Sequence, residues 1–221
     1  MDDRIKTKQK VIEAAISLFN VQGFTGTSVR EIAKRANVNA ALVSYYFGSK
    51  KGLLEQLMTK FLEGYVHVIE QAIERSKHDQ LSSKECLLHA IENILIYQQE
   101  NHNLARFIHR EITLDTVLVR ELMTTYLMKE KHLFHVIIEK GMAEEEFNRQ
   151  PIDFIVMQLR GMLIMPYLHP QYIREVYHLI PHERFFLEKY MDYLTRWVED
   201  YICNEQSSSL YSSRKMLLIR P

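Results

Sequence analysis

Glycine and proline are scarce in this chain, seven and five among 221 residues. So few breakers argue against turn-rich β architecture and for long helices. Cysteine is scarcer still: Cys86 and Cys203 stand far apart, without metal or redox spacing. A disulfide scaffold and a cysteine metal centre are excluded, and two isolated thiols suit the reducing cytoplasm. No apolar run approaches the roughly 20 residues of a membrane-spanning helix; the stretch 161–168 is among the longest. Residues 1–10 are polar, with none of the apolar core of a secretory signal. A cytoplasmic protein with no membrane partner is therefore expected. Nucleophile, metal and phosphate-loop motifs are missing too, so no catalytic residue, metal or cofactor is expected and the chain does not read as an enzyme. The ten histidines are scattered: His132 and His135 stand three apart but lack further ligands at metal spacing.

Net charge is also missing, 28 basic against 28 acidic residues, but the balance is uneven along the chain. The first 60 residues hold ten Lys/Arg and five Asp/Glu, a net +5; the remainder nets −5. Phosphate contacts supply much of the affinity for DNA, so a basic end on a neutral protein suits a small DNA-reading head on a larger body.

Helical periodicity fills what remains. Val11, Ile12, Ala15, Ile16, Leu18 and Phe19 place one apolar stripe on a helix over 8–22, which Gly23 ends. Ser28 with Glu31 three residues on forms a capping-box pattern opening a short helix over 28–35, with Val29, Ile32 and Ala33 inward. Asn37 suits a left-handed turn, and Asn39 caps a second short helix over 40–47. A long helix followed by two short ones across a tight turn is the helix-turn-helix pattern. From Leu53 a long bridging helix runs on past Ile69 and Ile73, and 77–83 reads as a linker. Further helices are expected over about 83–97, 104–114, 117–142, 152–165 and 182–203, with Pro166, Pro170 and Pro181 kinking the stretch between the last two. The fold class is all-α: a helix-turn-helix head over 1–51, a helical regulatory and dimerisation domain over 52–203, and a loosely ordered serine-rich tail over 204–221.

The pattern Ile12-x-x-Ala15-x-x-Leu18-Phe19-x-x-x-Gly23-Phe24-x-Gly26-Thr27-Ser28-Val29-x-x-Ile32-Ala33-x-x-Ala36-x-Val38, then Tyr46-Phe47-x-Ser49-Lys50-x-x-Leu53, closely resembles the DNA-binding head of the TetR family of bacterial regulators. That resemblance implies a homodimer on double-stranded DNA, with the 40–47 helix in the major groove. It places Ser44, Tyr45 and Tyr46 against DNA, sets Thr27, Ser28 and Arg30 on the flanking phosphates, and makes Lys50 a phosphate-binding lysine. Asn39 and Ala40, at the helix N-terminus, offer backbone N–H groups and dipole to a phosphate. Ala41 and Leu42 are less polar than usual for the family, leaving few base-reading donors. The run from Gly23 to Lys34, with Ala36-Asn37-Val38-Asn39 and Ser44-Tyr45-Tyr46-Phe47, also resembles a subgroup that regulates the division protein FtsZ in spore-forming Bacillus relatives. This finer resemblance implies a nucleoid-associated, sporulation-linked protein that restrains division.

In the last helix Phe186, Tyr190, Tyr193 and Trp197 form one stripe beside a second apolar one, an arc too wide for a single partner. A dimeric four-helix bundle with the 152–165 helix, through Phe154, Met157 and Gly161, accounts for it. Arg106, His109 and Arg110 cluster on one helix as a candidate partner-binding patch. Two accounts of the body stay open: a partner-protein module, such as one for FtsZ, and a sensor that leaves its operator on binding a small apolar effector.

Overall fold

The computed structural model describes residues 3–204. Those residues form eleven α-helices: α1 Asp3–Gly26, α2 Val29–Ala36, α3 Ala40–Phe47, α4 Lys50–Asp79, α5 Ser83–Glu100, α6 His102–Ile112, α7 Val117–Leu122, α8 Met128–Ala143, α9 Ile152–Leu168, α10 Pro170–Tyr177 and α11 Arg184–Trp197. Among them there is no strand, only an isolated bridge between Phe147 and Cys203. No helix among the described residues is long and apolar enough to cross a membrane. The all-α expectation holds. The tail expected from 204 onward lies, except for Asn204, outside the described residues.

The short helices owe their ends to side-chain caps. Ser28 and Glu31 close a reciprocal capping box on α2, and Ser82 and Glu85 close another on α5. Asn39 caps α3 and Ser49 caps α4. α1, α2 and α3 pack around Val11, Ala15, Phe19, Ile32, Val43 and Phe47; α4 then carries Leu53, Leu57, Phe61, Tyr65 and Ile69 onward among α5, α6 and α8. Most of the buried apolar residues form one continuous cluster from Val11 to Cys203.

The observed elements correct several expectations. α4 extends to Asp79, so the first three residues of the 77–83 linker are helix, closed by Gln80 in the left-handed region at φ 54°. The 117–142 helix holds a wide π-turn at Met123–Leu127 between α7 and α8. Pro170 starts a helix, α10, rather than breaking one, because its fixed φ suits a first turn where the missing N–H costs nothing. Pro166 lies inside α9 and is buried. A proline there leaves the carbonyl four residues back, Met162 O, without its helical donor. The hydroxyl of Tyr190 supplies it at 2.8 Å.

Candidate nucleic-acid interface

Three turns set the pose of α3. At Gly23 the backbone takes φ 75°, a region a Cβ disfavours, and α1 kinks there. Thr27 Oγ1 then donates back to Gly23 O at 2.8 Å. Between α2 and α3, Asn37 adopts φ 53°, ψ 50° and its N–H closes α2 on Ala33 O and Lys34 O. Asn39 Oδ1 accepts from Ala41 N at 2.9 Å, which leaves its amide N–H pair free of the cap.

On α3, Val43 and Phe47 are buried, and Ala41, Leu42, Ser44 and Tyr45 face out. Tyr45 is 74% exposed, with its ring edge-on to Tyr46. Tyr46 is half-buried against the core and Ala40 is half-buried at the helix start. Arg30, Lys34 and Arg35 lie exposed on α2 and Lys51 at the start of α4. The outer face therefore offers a hydroxyl at Ser44, a phenol at Tyr45 and an amide at Asn39, rimmed by cations: a donor set suited to phosphate oxygens and base edges.

Three expected phosphate contacts have further structural work. Thr27 is 2% exposed with its hydroxyl engaged, so its side chain fixes the turn and presents no face to a ligand. Ser28 is exposed, and its Oγ accepts from Glu31 N at 3.2 Å. The Ser28 hydrogen bonds hold the Glu31 carboxyl below its ordinary pKa, so the box keeps its charged form. Lys50 Nζ donates to Phe24 O at 2.9 Å and Thr27 O at 2.8 Å, and sits 4.5 Å from the centre of the Phe24 ring. Of three ammonium protons, one remains for a phosphate. Lys50 thus ties the α1–α2 turn to α4.

The expected patch on α6 is not a patch. His109 is buried at 4% exposure, and its Nε2 lies 2.6 Å from Gln98 Oε1, whose amide in turn donates to Leu163 O. The amide can only accept at that oxygen, so Nε2 carries the proton; burial first, then Arg160, drive the imidazole pKa down to about 3. Arg110 donates to Phe19 O at 2.7 Å, and Asn20 donates to Asn103 O at 2.7 Å, tying α6 to α1 beside the stacked Phe19 and Phe107 rings, 5.0 Å apart. Arg106 lines a cavity instead. The arginine and histidine spacing suggested one surface, but α6 is wedged between α1 and α9, and each side chain goes to a different neighbour. The Asn20 and Arg110 ties span 83 and 91 residues, with no local signal to find them.

The expected pairing residues divide. Phe154 (63% exposed), Met157 and Gly161 are exposed along α9, and a Cβ at Gly161 would meet nothing within 4 Å. On α11, Tyr193 is 71% exposed, as is much of Phe185. Phe186 is buried, stacked on Tyr190 at 5.2 Å; Tyr190 and Trp197 are half-buried against the chain's own core. These three pack within the protomer, and Tyr190 closes the α9 carbonyl.

Among the described residues no group of three His, Cys, Asp or Glu could hold a metal. Cys86 and Cys203 are both buried and free, with burial raising their thiol pKa values.

Residues 11–57 match the family described as bacterial regulatory proteins, tetR family. The chain is 47% identical over 195 residues to "Probable HTH-type transcriptional regulator YttP" of Bacillus subtilis (strain 168), covering 88% of this chain and 93% of that protein. Its fold is similar to a tetR-family regulatory protein from Rhodococcus RHA1, with TM-score 0.72 and 18% identity over 90% of this chain and 99% of the other. It is also similar to FadR of Bacillus subtilis, solved in complex with stearoyl-CoA, with TM-score 0.64 and 19% identity over 85% and 97%. The chain belongs to the tetR family of bacterial regulatory proteins, and is a transcriptional regulator rather than an enzyme.

Proposed function

We propose that this protein is a cytoplasmic homodimer that sets two α3 helices into successive major grooves of a pseudo-palindromic operator, with residues 1–51 reading DNA and 52–203 holding the dimer. The exposed row of Ser44 and Tyr45 on α3, whose opposite side is buried, carries this reading. Asn39, Ala40 and Ser28 meet the backbone at helix starts, and Arg30, Tyr46 and the remaining proton of Lys50 meet flanking phosphates. The exposed Phe154, Met157, Gly161 and Tyr193 pair α9 and α11 across a two-fold axis, because large unpartnered apolar faces mark interfaces and Gly161 admits a close backbone approach. Mapping genomic sites by chromatin pull-down tests this: the recovered sequences should share inverted half-sites about one helical turn or a multiple apart. Single, unrepeated motifs would overturn it.

For the body, a filled interior favours output through a protein surface. Phe61, Tyr65, Phe107 and Phe134 are fully buried in it, and it is crossed by Tyr65, whose hydroxyl donates to Glu130, itself paired with Arg160. The resemblance of residues 23–47 to the subgroup that regulates FtsZ in spore-forming Bacillus relatives supports a nucleoid-bound dimer whose partner is a division protein such as FtsZ, acting in sporulation. Release by a small apolar effector is the second reading. Its support is a cleft of about 730 Å³ between α1, α5 and α6, partly lined by Ile12, Ile16, Leu57 and Leu104.

A further inference from the structure

Where α6 meets α10 and the loop before α11, a cavity of about 140 Å³ gathers four basic side chains, and no carboxylate lines it. His102 and Arg106 come from α6, Arg174 from α10 and His182 from the loop; Asn103 and Gln171 add side-chain amides. The imidazoles of His102 and His182 stack with centroids 4.8 Å apart and planes 16° from parallel. Gln99 Nε2 fixes the loop by donating to His182 O at 3.2 Å. Arg174 Nε is 2.8 Å from Glu175 Oε1, the acidic partner outside the cavity.

Two guanidinium charges beside two imidazoles, with no carboxylate among them, leave this small space with a basic excess that a bound anion would offset. Burial, then Arg110 and Arg174, lower the Arg106 pKa; burial, then His182, lower that of His102 despite a hydrogen bond to the Gln99 backbone. Bulk water and Glu175 relieve Arg174, which is more exposed, but Arg106 is half-buried and has no acid beside it in the cavity. We propose that this cavity binds a small oxyanion, a carboxylate or phosphate group, held by the forked N–H donors of Arg106 and Arg174 between the two imidazoles.

The volume is below the roughly 300–1,000 Å³ of pockets that enclose drug-sized ligands, so it suits a charged head group. The cavity adjoins the larger cleft, since His102, Asn103, Arg106 and Gln171 line both, and the rest of a longer acid has room beside Leu104 and Ile16. No residue of α3 lines the site, and it stands whether or not the operator reading holds.

Sodium sulfate and, separately, sodium acetate serve as probes, titrated into the DNA-free full-length chain at constant ionic strength, with the imidazole resonances of His102 and His182 followed by NMR. A saturable shift at both rings is expected, and the anion that saturates at the lower concentration distinguishes a phosphate-like from a carboxylate ligand. Arg106→Gln should abolish the shift. Arg174→Gln, at a more exposed position that leaves packing intact, should weaken binding at least tenfold. A non-saturating drift shared by all ten histidines, or the same titration curve in both variants as in the parent chain, would overturn the proposal.

Discussion

The head and the body spend their polar groups in opposite ways. In α1–α3 the polar side chains are at the ends of helices: Ser28, Glu31 and Asn39 cap, Thr27 and Asn37 set turns, and the remaining hydroxyls of Ser44 and Tyr45 stand in solvent. The body buries its polar groups among apolar ones, with Glu130 at 2% exposure between Tyr65 and Arg160, and Gln98 and His109 bonded across α5 and α6. A surface substitution in the head should therefore change binding and leave the fold intact. An internal substitution in the body should change the fold first.

The largest effect is expected at the buried pair. Arg160→Leu strands the Glu130 carboxylate, which burial already pushes up in pKa and which Arg160 chiefly holds down. Breaking a buried pair from one side costs about 3–5 kcal/mol, to be read from urea unfolding midpoints. A comparable midpoint for variant and parent would show that the body's polar interior carries no such weight. Next, Met157→Arg places a charge on the exposed α9 row. It should weaken dimerisation by about 2–4 kcal/mol, the scale of an interface hot spot, without altering the far-UV spectrum; sedimentation at micromolar concentration distinguishes monomer from dimer. An unchanged dimer would move the interface off α9.

The third effect is a pH dependence. His109 has a folded pKa of about 3 against an ordinary 6.5, so the unfolded chain takes up a proton that the folded chain refuses. Its contribution is fully present above pH 6.5 and declines as pH falls from 6.5 towards 3. Between pH 6.5 and 5 that amounts to ~2 kcal/mol. His109→Leu should flatten this part of the stability profile, measured by unfolding at matched ionic strength; an unaltered slope would place the titrating group elsewhere.

What could be read in the sequence follows the same division. Local signals specify the head: Gly23, the Ser28–Glu31 box, Asn37 and the Asn39 cap are each within four residues of what they control. The pose of α3 and the exposure of Ser44 and Tyr45 were accordingly legible. Thr27 and Lys50 were legible as positions but not as roles, because their partners are carbonyls that only the folded turn brings near. In the body, controlling contacts span tens of residues. His109 looked like a surface neighbour of Arg106 until α6 was wedged between α1 and α9. Phe186 and Tyr190 looked like interface until Tyr190 was needed to satisfy the carbonyl that Pro166 leaves open. α10 was hidden because a proline reads as a breaker unless it is known to stand at a first turn.

Whether the outer face of α3 reads DNA is decided by Tyr45→Ala. At 74% exposure the side chain adds little to stability, so the unfolding midpoint should stay within about 0.5 kcal/mol of the parent. Affinity for an operator fragment recovered by chromatin pull-down, measured by fluorescence anisotropy, should fall about tenfold, or roughly 1.4 kcal/mol. Equal operator affinity for Tyr45→Ala and the parent chain, at matched salt, would contradict the placement of α3 in the groove.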